Sequence, residues 1–500
     1  MLKNESLEPG EADFSVHGDV ARSLTRADLM VMVAMVAISG VLLILWSHLG
    51  DELIPVNNGV AYDSKTYAQI TREPLASLFG GLDIHRVQRV VPSLVVFLML
   101  APFGLHTSTT ALLLGFQVLN YTLIALTAVL WWATARRLGL SRPAGWIGFL
   151  ALFMNYGLLK LSAYYPVLTD RPGFFLGMVL VWAVVAKKHA LLPLIAVVGA
   201  FTWPTVAYSA LGLYALSRPG GTLRPSRWWG VATAGALALG LTAGAVAVYR
   251  CGEGCASALM RAPVVPALLP LSLVVLLLWV YFATRPLLEL VTIPSVLRAI
   301  DWRRLLIAAA VMLAIVVVQR SMADPSFRTV SRTLYNTTLG GVVKPAGFLV
   351  AHSVFYGPAV LLLVLTWRRA VSALSAYGVG MVALVLGYVV LAITVEARIL
   401  LNEWPFFVLL AAVVVDQLGW KARQAWIFAA LSFVMSRVWF PVYHGEYTGD
   451  WRKFPDQFYG MSLGLKMTLT SYSVMAAASL GVGFVLLWLV RRPGREARVD

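Results

Sequence analysis

Residues 29–48, LMVMVAMVAISGVLLILWSH, form an apolar run free of Asp, Glu, Lys and Arg. Its length, about 20 residues, is what a helix needs to cross a ~30 Å hydrocarbon core. Runs of this kind recur as far as residue 490, and nearly every one ends at Arg, Lys, Trp or Tyr, the residues that mark bilayer interfaces. Composition agrees: 59% of residues are hydrophobic and 13% charged, with a mean hydropathy of +0.77, whereas soluble chains carry about a quarter of charged residues. The spacing predicts an all-α polytopic protein of about 13 to 14 spans. Gly and Pro inside several runs, and an all-round apolar helical period, exclude a transmembrane β-barrel.

The segment 1–28 is polar and of mixed charge. The span behind it lacks a small-residue cleavage site, so it reads as a retained anchor. The chain then reads as one membrane domain over 29–490 with a basic tail at 491–500. Short basic connections at Arg136, Arg137 and Arg142, Lys187 and Lys188, Arg218 to Arg227, Arg303 and Arg304, Arg368 and Arg369, and Lys421 and Arg423 belong on the cytoplasmic side. The N-terminal segment and the tail join them there. Outer loops are then expected at 49–109, 250–263, 320–345 and 440–471, holding most of the acids. This arrangement requires 89–104 to lie along or dip into the membrane as an interfacial helix. It also requires 190–216 to be two short crossings broken at Trp203-Pro204, where proline removes an amide donor. The formal charge of +16 follows from this orientation code, and no basic stretch interleaves with aromatics as nucleic-acid binding would need. Cys251 and Cys255, the two cysteines of the chain, can staple an outer loop by a disulfide. Two thiols without further ligands make a poor zinc site.

The first outer loop carries Tyr62, Asp63, Lys65, Tyr67, Arg72, Glu73, Asp83, His85, Arg86 and Arg89. Ordering so long a polar loop costs backbone entropy that contacts or a function must offset; the alternative is a solvated loop. Residues 63–73, D-S-K-T-Y-A-Q-I-T-R-E, resemble the acidic first-loop motif of the GT-C glycosyltransferases, in particular the D-E-x-x-Y-A-x-I-x-R-E pattern of lipid A aminoarabinose transferase relatives, with protein mannosyltransferases among the wider kin. The Arg86-Val-Gln-Arg89 run before Pro92 is similar to bacterial members, and Leu168-Thr169-Asp170 is similar to the second acidic site of the family. The resemblance covers residues 63 to 205. One departure stands out: Ser64 occupies the position of the family's second acid, and Asp51 and Glu52 form such a pair nearer the membrane.

The resemblance implies transfer of a sugar from a polyprenyl-phosphate donor to a glycan, lipid or protein acceptor on the outer face of a bacterial inner membrane. It implies no certain cofactor, allows a divalent cation, and identifies no metal ligands. The chemistry asks for the same residue types. A departing phosphate needs fixed positive charge, which arginine supplies in bidentate form, and an attacking hydroxyl must lose a proton, which a carboxylate in hydrogen-bond reach accepts. Asp63 and Asp170 are therefore the candidate catalytic acids. Candidate binding residues are Tyr62, Lys65, Tyr67, Arg72, Arg86, Arg89, Tyr165, Arg171, Glu396 and Arg398. Each has a structural alternative: the cations as anchors to anionic lipid, Tyr165 as part of an aromatic belt, Asp170 with Arg171 and Glu396 with Arg398 as local ion pairs. A lipid-linked-sugar flippase would instead place its charges near the midplane on broken helices of two similar halves. A polysaccharide polymerase or ligase would draw on the late loop with His444 and Arg452. Asn336-Thr337-Thr338 fits an N-glycosylation acceptor.

Overall fold

The structure is a computed structural model and describes residues 25–49, 53–54, 56–61, 63–217, 223, 225–251, 264–324, 335, 338–437, 442–443, 457–458 and 467–491. The apolar run that opens the chain is helix α1 (Arg26–Leu49). Four short helices follow in the first loop: α2 (Asp63–Arg72), α3 (Pro74–Phe79), α4 (Ile84–Val87) and α5 (Val91–Leu100). Proline stands in the first turn of α3 and of α5, where a missing N–H leaves no bond unmade. The Asp83 carboxylate starts α4 by accepting from the Arg86 amide at 2.9 Å. Then come α6 (Thr109–Arg137), α7 (Arg142–Phe153), α8 (Tyr156–Tyr164), α9 (Asp170–Val185), α10 (Leu192–Ala200), α11 (Pro204–Ala215), α12 (Arg227–Cys251), α13 (Leu269–Leu290) and α14 (Ile293–Ala299). The remainder are α15 (Trp302–Met322), α16 (Gly347–Tyr356), α17 (Pro358–Ser375), α18 (Val379–Leu391), α19 (Trp404–Gln417), α20 (Ala422–Met435) and α21 (Leu469–Arg491). Among the described residues, extended pairing is confined to a two-residue parallel ladder, Val442–Tyr443 with Gln457–Phe458, and a bridge between Leu82 and Ala323.

The chain is all-helical and polytopic. Among the described residues, seven helices are long and apolar enough to cross a membrane: α1, α6, α12, α13 with the turn before it, α15, α17 and α21. Against the 13 to 14 spans expected, six further apolar helices run only 10 to 17 residues. The segment expected to dip into the membrane is α5, whose 10 residues reach about 15 Å, half a hydrocarbon core. The segment expected to break at Trp203-Pro204 does so, as α10 and α11 packed side by side.

The packing is layered by polarity of surroundings. Helix α19 is buried almost all round, with Phe406, Val408, Leu409, Leu410, Val414 and Val415 enclosed by α7, α9 and α17. Helices α1, α15 and α21 instead turn Leu45, Leu313, Leu480 and Phe484 outward, a surface that lipid satisfies and water does not. Without a hydrophobic drive between helices in lipid, close approach at small residues holds the bundle. Gly177 of α9 is the clearest case: a Cβ there would lie 2.0 Å from the Asn402 carbonyl oxygen. Gly173, one turn earlier, faces the Trp203 ring at 3.0 Å in the same way.

Charge gathers at the two ends. At one end Arg136 meets Asp28 at 3.7 Å, the Ser141 amide donates to Asp416 at 2.9 Å, and Arg304 stacks over Tyr214 at 5.5 Å. At the other, the Asp324 amide donates to the Leu82 carbonyl at 2.8 Å, joining the segment after α15 to the first loop. Gln319 of α15 donates to the Ala200 carbonyl at 2.8 Å and accepts from Gln88 at 3.3 Å. Cys251 ends α12 and is disulfide-bonded; Cys255 lies outside the described residues, as do Asp51, Glu52, Asn336, Thr337, His444 and Arg452.

Candidate functional site

The first loop is built onto the bundle by backbone and tyrosine contacts. The Ile54 amide donates to the Tyr164 carbonyl at 3.0 Å, and the Val91 amide to the Phe201 carbonyl at 2.9 Å, at the break between α10 and α11. Tyr165, in the turn between α8 and α9, donates its buried hydroxyl to the Ala61 carbonyl. The Ser64 amide in turn donates to that hydroxyl at 3.4 Å. Burial pushes the Tyr165 hydroxyl well above the ordinary phenol range, so it remains a neutral donor. These contacts fix the first turn of α2, and hence Asp63, at the helix end where a carboxylate meets unpaired amides.

Asp63 is half-buried and receives Arg86 at 3.1 Å. Arg86 also contacts Asp83 within its own turn, so one guanidinium joins two carboxylates. Arg89, one turn further, lies 4.2 Å from the Trp203 ring centroid, a cation–π contact that holds it against the α10–α11 break. The buried Tyr67 hydroxyl stands beside Arg89 without closing a hydrogen bond. His85 is exposed at the rim, within electrostatic reach of Asp63, Arg89 and Arg398.

Asp170 opens α9 fully buried. Its partner is Arg398, at 3.5 Å, which also reaches Glu396 at 3.9 Å. Arg171, the neighbour expected to pair with Asp170, turns instead to donate to the Gly157 carbonyl. A helix start explains this: successive side chains diverge by about 100° around a helix axis of 3.6 residues per turn, so Asp170 and Arg171 leave in different directions. Burial works against the Arg398 charge, but Asp170, Glu396 and Asp63 overcome it and hold the guanidinium above the usual arginine range. Arg398 thus pairs with Asp170 and lies within electrostatic reach of Asp63.

Two expected residues stand apart. Arg72 donates to the Thr109 hydroxyl at 2.8 Å and so ties α2 to the first turn of α6. Lys65 is exposed. Tyr62 lies outside the described residues. Tyr356 carries no signal in sequence, whereas Glu403 stands with Glu396 and Arg398 among the acids expected on the late outer connections. The Tyr356 hydroxyl donates to the Ala397 carbonyl at 2.7 Å and its ring stacks on Trp404 at 4.2 Å, bracing the turn that carries Arg398. Glu403 is fully buried with neither carboxylate oxygen hydrogen-bonded, beside Asn402, which accepts from Thr205 at 2.9 Å. A tyrosine inside an apolar helix gives no sequence signal; an acid immediately before Trp-Pro does, since acids at such depth are costly.

The arrangement is a cluster of four carboxylates, Asp63, Asp83, Asp170 and Glu396, and three arginines, Arg86, Arg89 and Arg398, at one end of the bundle, open at Asp63 and Arg86 and closed at Asp170. It can bind an anion and accept a proton. Among the described residues no group of three or more His, Cys, Asp or Glu could hold a metal ion. No protein family, curated protein or solved structure matches the chain.

Proposed function

We propose that the chain is a membrane glycosyltransferase of the GT-C kind, moving a sugar from a polyprenyl-phosphate donor to an acceptor hydroxyl at the end of the bundle that carries the first loop. The observation that carries this reading is the gathering of an Asp63–Arg86 pair and a buried Asp170–Arg398 pair, from three separated stretches of sequence, within electrostatic reach of one another and with Arg89 beside them. In the reaction the acceptor oxygen attacks the anomeric carbon, the bond from that carbon to the phosphate oxygen breaks, and its electron pair leaves with the phosphate. The acceptor proton passes to Asp63. Arg86, Arg89 and Arg398 supply fixed positive charge for the departing phosphate, with geometry prepared before reaction. Asp170 holds Arg398 in place and so acts as a positioning residue. A donor whose lipid tail lies between helices reaches this end without a soluble nucleotide site. The outward-facing orientation and a bacterial inner membrane belong to the same proposal.

A flippase places its charges at the midplane, whereas these sit at helix ends, which favours transfer. The test compares wild type with Asp63→Asn and Asp170→Asn, each checked for thermal stability, by release of polyprenyl phosphate from a panel of radiolabelled polyprenyl-phosphate sugars with membrane extract as acceptor. Turnover by wild type that is lost in folded Asp63→Asn supports the proposal. Donor binding without turnover by wild type, or full activity of the variant, overturns it.

A further inference from the structure

Away from the acidic cluster, a cavity of about 1380 Å³ opens between α13, α16, α17, α18 and α19, with Arg227 at the start of α12 on its edge. Its origin is visible in the helices. Helix α17 loses regular geometry at Thr366 (φ −116°, ψ 18°), and α13 carries Pro286 in its interior. Both residues line the cavity. An interrupted ladder bends a helix away from its neighbour, and here two interruptions face each other. The Trp367 indole donates across the gap to the Ala283 carbonyl at 2.8 Å.

The cavity has two unlike ends. The first is closed by Tyr356 and Trp404, the stacked pair beneath the turn of Arg398. The second is ringed by Arg227, Arg368 and Arg369, all exposed, and among the described residues none of the three has an acidic partner. Arg285, also at this end, is already paired with Glu289 at 2.9 Å. Between the ends the wall is apolar, with Val275, Leu278, Phe282 and Val364. Trp228, exposed beside Arg227, marks this end as a membrane interface. The distance is informative. Arg368 lies ten residues beyond Pro358, about 15 Å of helix, which equals one leaflet of a ~30 Å hydrocarbon core.

We infer that this cavity seats one anionic glycerophospholipid, its phosphate on Arg227, Arg368 and Arg369 and its acyl chains along the apolar wall toward Tyr356. A basic pocket between membrane helices recognises such a headgroup, and the one-leaflet depth fits acyl chains. The three arginines stand at the opposite end of the cavity from Arg398, so this anion is separate from any phosphate at the Asp63 cluster. The bound chains fill the space under Tyr356 and Trp404 and support the turn of Arg398 from below.

The test purifies the full chain into mixed micelles and measures binding of phosphatidylglycerol and of phosphatidylcholine by native mass spectrometry. It uses wild type, Arg368→Gln/Arg369→Gln, and Val364→Trp, which fills the apolar wall one turn from Arg368 and leaves all three arginines in the chain. Wild type is expected to retain one phosphatidylglycerol per chain in preference to phosphatidylcholine. With each arginine worth about fivefold in affinity, the double variant should bind phosphatidylglycerol on the order of 25-fold more weakly. Val364→Trp should lose both lipids. Retention that ignores headgroup charge and both sets of substitutions overturns the inference. So does one-for-one displacement by a polyprenyl phosphate, which would make the cavity the seat of the donor lipid. The readout is independent of transferase activity.

Discussion

Arg398→Met tests the joint between the two halves of the site. Asp170 has a side-chain exposure of 2% and Arg398 of 12%, at a separation of 3.5 Å, and neither Asp170 oxygen has a hydrogen bond. Removing the guanidinium therefore strands a buried carboxylate. Loss of one partner of such a pair costs about 3–5 kcal/mol. Arg171 sits near Asp170 but is engaged with the Gly157 carbonyl, so its relief is partial and the lower part of that range is expected. Asp170→Asn should cost less, about 1–3 kcal/mol, because Arg398 keeps Glu396. Adding Asp170→Asn to Arg398→Met should restore about 1–3 kcal/mol, the coupling range of residues in direct contact. Equilibrium unfolding of purified protein in detergent mixed with dodecyl sulfate measures all three. An Arg398→Met variant within about 1 kcal/mol of wild type, with a double variant no better, would refute the buried pair.

Asp63→Asn should reduce sugar transfer by about 10²–10⁴-fold while leaving stability within about 1 kcal/mol, the worth of a partly exposed ion pair, as read by turnover and by unfolding in the same micelles. Tyr165→Phe removes the hydroxyl that holds Ala61 and Ser64; about 1 kcal/mol of stability and a larger fall in turnover than in donor affinity are expected. Gly177→Ala drives a methyl into a backbone carbonyl that has no side-chain freedom to yield, and should cost about 1–3 kcal/mol, seen as earlier unfolding. Arg72→Gln is the control: it loses a hydrogen bond to Thr109 and should leave transfer rates unchanged, so a collapse of activity would place Arg72 in the site after all.

What one sequence determined about this chain is whatever depends on local composition. Runs such as 29–48 demand helices because lipid offers no partner for an open backbone, and Trp203-Pro204 demands a break because proline withholds a donor. The types of residue needed for anion binding and proton acceptance were legible too: Asp63, Arg86, Arg89 and Asp170 were picked out by their resemblance to GT-C motifs, and Arg398 by its charge at the boundary of an apolar run. Tertiary structure alone decided how they combine. Whether Asp170 pairs with its neighbour Arg171 or with Arg398, more than two hundred positions away in sequence, depends on the direction each side chain leaves its helix and on which turn packs against it. The same holds for Arg72, whose role follows from the first turn of α6 lying within its reach, and for Tyr356, which is indistinguishable from lining in sequence and braces the Arg398 turn in space. Residues that touch across a bundle are brought together by packing of whole helices, and no local pattern records that contact.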